Sequence, residues 1–224
     1  MSIQVEAPAI SSDVDMVTEL YLGPGGLDAY LKLVGDGKNP LIKYRNGSLT
    51  LMSPSQRHER GAERIDDLIK AVCDELGIDS RATASTLFRR PGMDHGIEAD
   101  KTYYIEHEHA VREAAGDIDL SAYPPPDLAV EVAATHDPAK SLAVCRELGI
   151  PEVWIYRVRQ RSLEFLVLDE QGHFVAGKAS RAFPFLTAAD VLPWVESSDE
   201  EPDRLWRRRL RAWVREELGG RRGG

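Results

Sequence analysis

The chain has 224 residues, of which 42% are hydrophobic, 29% charged and 7% aromatic, with a formal net charge of −9. This composition describes one globular domain that buries roughly 70% of its unfolded surface without disulfides or a structural metal. No run reaches the ~18 apolar residues of a membrane span and the acidic start lacks signal-peptide character, so a cytoplasmic protein is expected, and the charge argues at first against a nucleic-acid partner.

Residues 1–24 read as an N-terminal arm ending in a short apolar stretch, and Gly23, Pro24, Gly25 and Gly26 break the chain before a short helix at 27–34. After a second break at 35–40, the Asn46 and Gly47 turn signal between two strand-like runs predicts a β-hairpin over 42–52. A long helix is expected over 56–76, with Ala62, Ile65, Leu68, Ile69, Val72 and Leu76 on one stripe and Gly77 as its stop. Residues 81–90 alternate like a half-buried strand, which Pro91 and Gly92 turn back into a second strand at 96–105. Residues 106–126 hold no clean period, end in three prolines and read as a surface excursion.

The run 127–133 has five apolar residues broken only by Glu131, the signature of a central strand buried on both faces. An acid there is expensive unless it is paired or binds a cation. Asp137 and Pro138 open a helix that Gly149 closes, 152–158 is a further strand, and 162–168 pairs with 173–176 around Gln171 and Gly172. Cys73 and Cys145 fall inside apolar helical patterns and read as core thiols in a reducing compartment.

Two helices, at 187–195 and 202–218, finish the pattern, with Gly219 and Gly220 as the stop and 221–224 expected to be disordered. Residues 204–222 carry eight arginines against Glu216 and Glu217, a local sum of +6 that leaves −15 on the remainder. Leu205, Trp206, Leu210, Trp213, Val214 and Leu218 recur there at helical spacing. This basic amphipathic helix, 197–224, is a solvated face docked on the domain, a phosphate contact or a subunit contact. The domain itself spans 25–196. Helix, three strands, helix and strand in its middle give an α/β (α+β) class with a central mixed β-sheet flanked by helices.

Asp100, in the second strand, and Glu131, in the most buried one, can meet if those strands are neighbours, forming a hard oxygen site for Mg²⁺ or Mn²⁺. The plain alternative is a salt bridge to Lys101, Lys140 or an arginine. Lys140, on the first turn after Glu131, could orient a metal-bound water or remain a surface lysine. His58 near the start of the long helix is a capping, surface or site residue. His107 and His109 have strand-like spacing in a loop with no third ligand at a recognised distance. A phosphate-cradling glycine loop, a Gly-x-Ser-x-Gly elbow and a Cys-x-x-Cys pair are absent from the sequence, which disfavours P-loop hydrolases, serine hydrolases and zinc ribbons.

Four segments carry a family resemblance: residues 46–54 followed by His58, residues 96–105 around Asp100, residues 126–132 around Glu131, and residues 149–155. Over residues 25–195 the chain resembles the Uma-two family, a branch of the PD-(D/E)XK nuclease superfamily. The resemblance implies a restriction-endonuclease-like core and a metal-dependent nuclease. Asp100 and Glu131 fall on its two acidic positions, with Ala99 in place of the usual proline and Ala133 where the superfamily lysine would stand. In the family the lysine moves to the next helix, where its position is taken by Ser141, with Lys140 one residue earlier. An acid common before the Asn46 and Gly47 turn is here Lys43 or Tyr44, and His58 matches a histidine position.

Two functions follow from these residues. The first is a Mg²⁺-dependent endonuclease on DNA: Asp100, Glu131 and the Val132 carbonyl hold the metal, Lys140 orients water, His58 lies beside them, and Arg57, Arg60, Arg64, Arg89, Arg90 and the tail arginines meet phosphates. The second is a catalytically degenerate nuclease-like binding or assembly module, motivated by Ser141 and Lys43. A hydrolase of small phosphate esters is a third class. An amine of Lys140 within hydrogen-bond reach of the two carboxylates would favour the enzyme, and one in solvent the module. A homodimer is expected by analogy with nucleases that cut both strands.

Overall fold

The computed structural model describes residues 14–35, 40–83, 86–90, 94–114, 118–135, 137–197 and 201–222. The turn at Pro91 and Gly92, the first thirteen residues of the arm and the last two residues of the chain lie outside these. No helix among the described residues is long and apolar enough to cross a membrane.

Asn46 (φ 49°) and Gly47 (φ 80°) both adopt left-handed backbone, the geometry of a two-residue hairpin turn whose twist suits its strands. They join β2 (Leu41–Arg45) to β3 (Ser48–Ser53) in the expected antiparallel hairpin. The arm departs from expectation. Its apolar end forms β1 (Met16–Tyr21), antiparallel to the edge of β3 that the hairpin leaves unpaired, with all six side chains exposed. With β6 (His95–Ile97) on β2 and β5 (Phe88–Arg89) beyond it, these make an antiparallel sheet in the order β1-β3-β2-β6-β5.

The second sheet runs β11 (Phe174–Ala176), β10 (Ser162–Leu168), β9 (Glu152–Arg157), β8 (Leu128–Ala133), β7 (Lys101–Tyr104) and β4 (Arg81–Ala82). It is mixed: β8 and β9 are parallel and its other pairs antiparallel. Here the sequence reading needs correction. Residues 81–90 and 96–105 are not two continuous strands; each is broken and contributes one piece to either sheet. The crossover at residues 98–100 is held by Glu98, whose amide donates to the Ile42 carbonyl (2.8 Å) and whose carboxylate accepts from the Ile42 amide (3.2 Å). Asp100 is therefore a bend residue between sheets, not a strand residue.

Helix α2 (Gln56–Leu76) has the predicted bounds, capped by Ser55, which accepts from the His58 amide, and ended by Gly77 at φ 60°. Its buried Ile65, Leu68, Ile69 and Val72 pack on Val130, Val132 and Trp154. The opposite face of the sheet, with Ala129, Val153 and Ile155, is covered by Val144, Cys145 and Leu148 of α4 (Ala139–Leu148). Covering both faces leaves all six residues of β8 buried, as its unbroken apolar run requires. Helix α4 also packs on β2 and β6, so it wedges between the two sheets. Residues 106–126 are not wholly a surface excursion. Val111 at the end of the short α3 (Glu108–Val111), and Ile118 and Leu120 after it, are buried in one cluster with Phe88 and Tyr104.

The arginine-rich segment docks on α2. In α6 (Asp203–Trp213) and the π turn after it (Val214–Leu218), Trp206, Leu210, Val214 and Leu218 are buried. Above them Arg207 pairs with Asp67 (2.9 Å), Arg211 with Asp74 and Glu75 (2.9 Å each) and Arg215 with Glu75 (2.7 Å). Buried Arg64 pairs with Asp203 (2.7 Å) and stacks 4.1 Å over the Trp206 ring. The apolar stripe holds the helix while the exposed pairs add little, and these arginines are spent on acids of the same chain.

The expected stop at Gly219 and Gly220 is overridden. Both continue as helix in α7 (Gly219–Arg222), where Arg221 pairs with Asp190 (3.0 Å) and Arg222 donates to the Leu76 carbonyl, so the first half of the segment expected to be disordered is anchored. A Cβ on Gly219 would sit 3.8 Å from Leu76, and one on Gly220 would meet nothing within 4 Å. Gly219→Ala and Gly220→Ala should therefore each stabilise the protein by about 0.5–1 kcal/mol in urea unfolding. A left-handed C-cap would give the opposite sign.

Candidate functional site

The bend at Asp100 falls where β7 leaves β8. Lys101 is the last β7 residue paired with β8, opposite Val130, and beyond it the Val132 amide donates to Asp100 Oδ2 (2.6 Å) in place of a strand partner. Along β8 the backbone groups alternate: the Ala133 carbonyl accepts from Val158 on the β9 side, so those of Val132 face the gap that Asp100 enters. By the same alternation the Glu131 side chain lies on the face of Ala129, toward α4 and the first sheet.

From that sheet comes Lys43. Its ammonium donates to Glu131 Oε2 at 2.6 Å, with the two side chains 4% and 0% exposed. Burial alone would lower the Lys43 pKa, but Glu131 and then Asp100 outweigh it and hold it above the ordinary lysine value. Lys43 therefore keeps its proton and its charge at neutral pH. Glu131 Oε1 is buried with no hydrogen-bond partner among the described residues. A buried carboxylate oxygen left so is a donor of the kind that hard divalent cations take.

His58 supplies the other flank. Gly61, one turn along α2, lets the helix approach β9 closely, since a Cβ there would come 2.8 Å from the Tyr156 ring. His58 is 1% exposed; its Nε2 lies 2.8 Å from Asp100 Oδ1 and its Nδ1 3.3 Å from Asp15 Oδ2. Asp15 in turn accepts from the Ser55 amide (2.8 Å), which ties the residue before β1 to the cap of α2. Burial lowers the imidazole pKa, but the hydrogen bonds from Asp100 and Asp15 dominate and raise it to about 10. At neutral pH the ring is an imidazolium that donates to both carboxylates. Asp15, Asp100 and Glu131 against Lys43 and His58 leave one negative charge in excess.

The structure therefore gathers Asp100, Glu131, Val132 and His58 but takes Lys140 elsewhere. The Lys140 ammonium donates to Ser48 Oγ (3.0 Å) and Thr50 Oγ1 (2.5 Å), neither to the two carboxylates nor wholly to solvent. Two members of the cluster were not foreseen. Lys43 read as a missing acid; the signal was a cation flanked by apolar residues in β2, matching the lone acid in β8. Asp15 gave no signal, one of two aspartates in the arm. Separately, Glu106, His107 and Asp127 offer atoms within 4.8 Å of one another. Asp127 there accepts from the amides of Ile105 (2.6 Å) and His107 (3.0 Å) and pairs with the His107 ring (2.5 Å), while His109 stands apart from the group.

The family model described as "Uma2: Putative restriction endonuclease" matches residues 27–200. Among solved structures, "a putative nuclease belonging to DUF820" from Anabaena variabilis is similar with a TM-score of 0.56 at 17% identity, over 75% of this chain and 98% of that one, a likeness of fold. A search of curated proteins finds no match.

Proposed function

The chain belongs to the Uma2 family, and on that premise we propose that it is a divalent-metal-dependent nuclease hydrolysing phosphodiester bonds of DNA. The restriction-endonuclease-like α/β fold is present, and the observation that carries the reading is the buried Lys43–Glu131 pair, which leaves Glu131 Oε1 without a hydrogen-bond partner among the described residues. Glu131, Asp100 and the Val132 carbonyl would hold Mg²⁺ or Mn²⁺. Such an ion lowers the pKa of a bound water and polarises a phosphoryl oxygen.

The chain's own residues do the rest. Lys43 fixes the Glu131 carboxylate and places a positive charge where the phosphate gathers negative charge during attack. The imidazolium of His58 holds one oxygen of Asp100 and the Val132 amide the other, so the carboxylate cannot rotate. Near-complete exclusion of water from these side chains strengthens each of those interactions.

Lys140 as the only nearby lysine would have favoured a degenerate module. Lys43 supplies an amine at Glu131, which favours the enzyme. The free buried thiols Cys73 and Cys145 suit a reducing cytoplasm, and a homodimer with two such sites would serve double-strand cleavage.

Plasmid and oligonucleotide cleavage with Mg²⁺ and with Mn²⁺ tests the reading. Asp100→Asn and Glu131→Gln, which keep shape, should each lower the rate at least about 100-fold. Activity surviving both substitutions, or none in either metal, overturns it. Turnover of a small phosphodiester without DNA cleavage would move the assignment to a phosphate-ester hydrolase.

A further inference from the structure

A cavity of about 490 Å³ lies over the outer end of the β2–β3 hairpin, lined by Glu19, Arg45, Asn46, Ser48 and Lys140. Resting on the nuclease reading, we propose that it binds a backbone phosphate of the nucleic acid, with Lys140 as its principal cation and Glu19 as a displaceable carboxylate that covers it.

The cavity adjoins the acidic cluster. Thr50, which accepts from Lys140, is the cross-strand partner of Lys43, so one residue pair separates the Lys140 ammonium from the one on Glu131. An ammonium has three N–H donors. Two go to the neutral hydroxyls of Ser48 and Thr50; the nearest carboxylate among the described residues is Glu19 Oε1 at 3.6 Å, beyond hydrogen-bond length. A phosphate oxygen meets the need that Glu19 leaves unmet.

The partners differ in freedom. The Lys140 side chain is 24% exposed and pinned by two hydroxyls, whereas that of Glu19 is 65% exposed and, among the described residues, accepts a single hydrogen bond, from Thr50 Oγ1 (3.1 Å). Arg45 adds a second fixed cation, its guanidinium held by Glu147 at 2.7 Å. Arg45 and Lys140 are the cations that line the cavity, and Arg45 is already paired with Glu147. Burial lowers the Lys140 pKa against the pull of Glu19, and repulsion from Lys43 and Arg45 adds to the lowering. The exposed Glu19 carboxylate stands where an anion is wanted.

The experiment uses the metal-free full chain with EDTA, a labelled short DNA duplex read by fluorescence anisotropy over a salt series, and inorganic phosphate as competitor. Glu19→Gln should tighten duplex binding about 2–5-fold at low salt. Lys140→Gln should weaken it and lower the slope of log K against log salt by about one. Inorganic phosphate should compete with the wild type more effectively than with Lys140→Gln. Unchanged affinity and slope in Lys140→Gln, or weaker binding in Glu19→Gln, overturns the proposal. Phosphate binding that depends on Lys140 without any duplex binding overturns the backbone assignment in favour of a small phosphate ester. Incubating the same duplex with the wild type in Mg²⁺ and in Mn²⁺ separates the two readings: Lys140-dependent binding with no cleavage in either metal sinks the nuclease and keeps the subsite.

Discussion

Replacing Lys43 with Met is expected to destabilise the protein by about 3–5 kcal/mol. The reason is what it leaves behind. Glu131 is fully buried; among the described residues one of its oxygens already lacks a partner, and without the ammonium the other loses its charged one. A buried carboxylate so stranded either pays its desolvation in full or takes up a proton. In a chain of this length the loss corresponds to a fall in Tm of roughly 10 °C. The double variant Lys43→Met, Glu131→Gln should recover most of it, because removing both charges removes the desolvation that the pair had to overcome. Urea unfolding of the wild type, both single variants and the double variant measures the coupling. A Lys43→Met protein as stable as the wild type, with no coupling to Glu131, would mean that Glu131 is hydrated or neutral, and the basis for the site would fall with it.

That pair also shows how far the sequence reached. Periodicity found α2 with its bounds and found β8 as a doubly covered strand, because both signals are local: a stripe at helical spacing and an unbroken apolar run. It could not find that 81–90 and 96–105 divide between two sheets; what breaks the second is the pairing of Glu98 with Ile42 and of Asp100 with Val132, contacts made by residues far apart in the chain. The same limit applies to the site. Glu131 was legible as an acid in an apolar strand that needed a partner, and Asp100 through its resemblance motif. The partner was not legible, because Lys43 lies 88 residues away in another sheet and was read as the loss of an acid. Gly219 and Gly220 failed for a further reason: local stop chemistry was outweighed by Leu218 beneath the segment and by the contacts of Arg221 and Arg222.

The His58 imidazolium should make the stability of the metal-free protein fall with rising pH across a defined window. Its pKa is about 10 in the folded chain against about 6.5 unfolded, so the folded state holds the proton over a range where the unfolded state has released it. The contribution is complete below about pH 6.5, declines as pH rises and is gone once pH passes the folded value near 10. Its full size is roughly 3–5 kcal/mol, of which about 2 kcal/mol is lost between pH 6.5 and 8. Denaturant unfolding of the wild type and His58→Gln at pH 6, 8 and 10 isolates it: the gap between the two proteins should be widest at pH 6 and narrow steadily. A gap independent of pH would show that the ring is neutral in the folded state and donates to only one aspartate. Asp15→Asn refines the test. With one of the two carboxylates neutral, the folded pKa drops and the upper edge of the window moves down, while Asp100 keeps its hydrogen bond to Nε2. A residue that merely filled space beside His58 would leave that edge in place. The shift therefore measures how strongly the segment before β1 acts, through His58, on the carboxylate at the centre of the site.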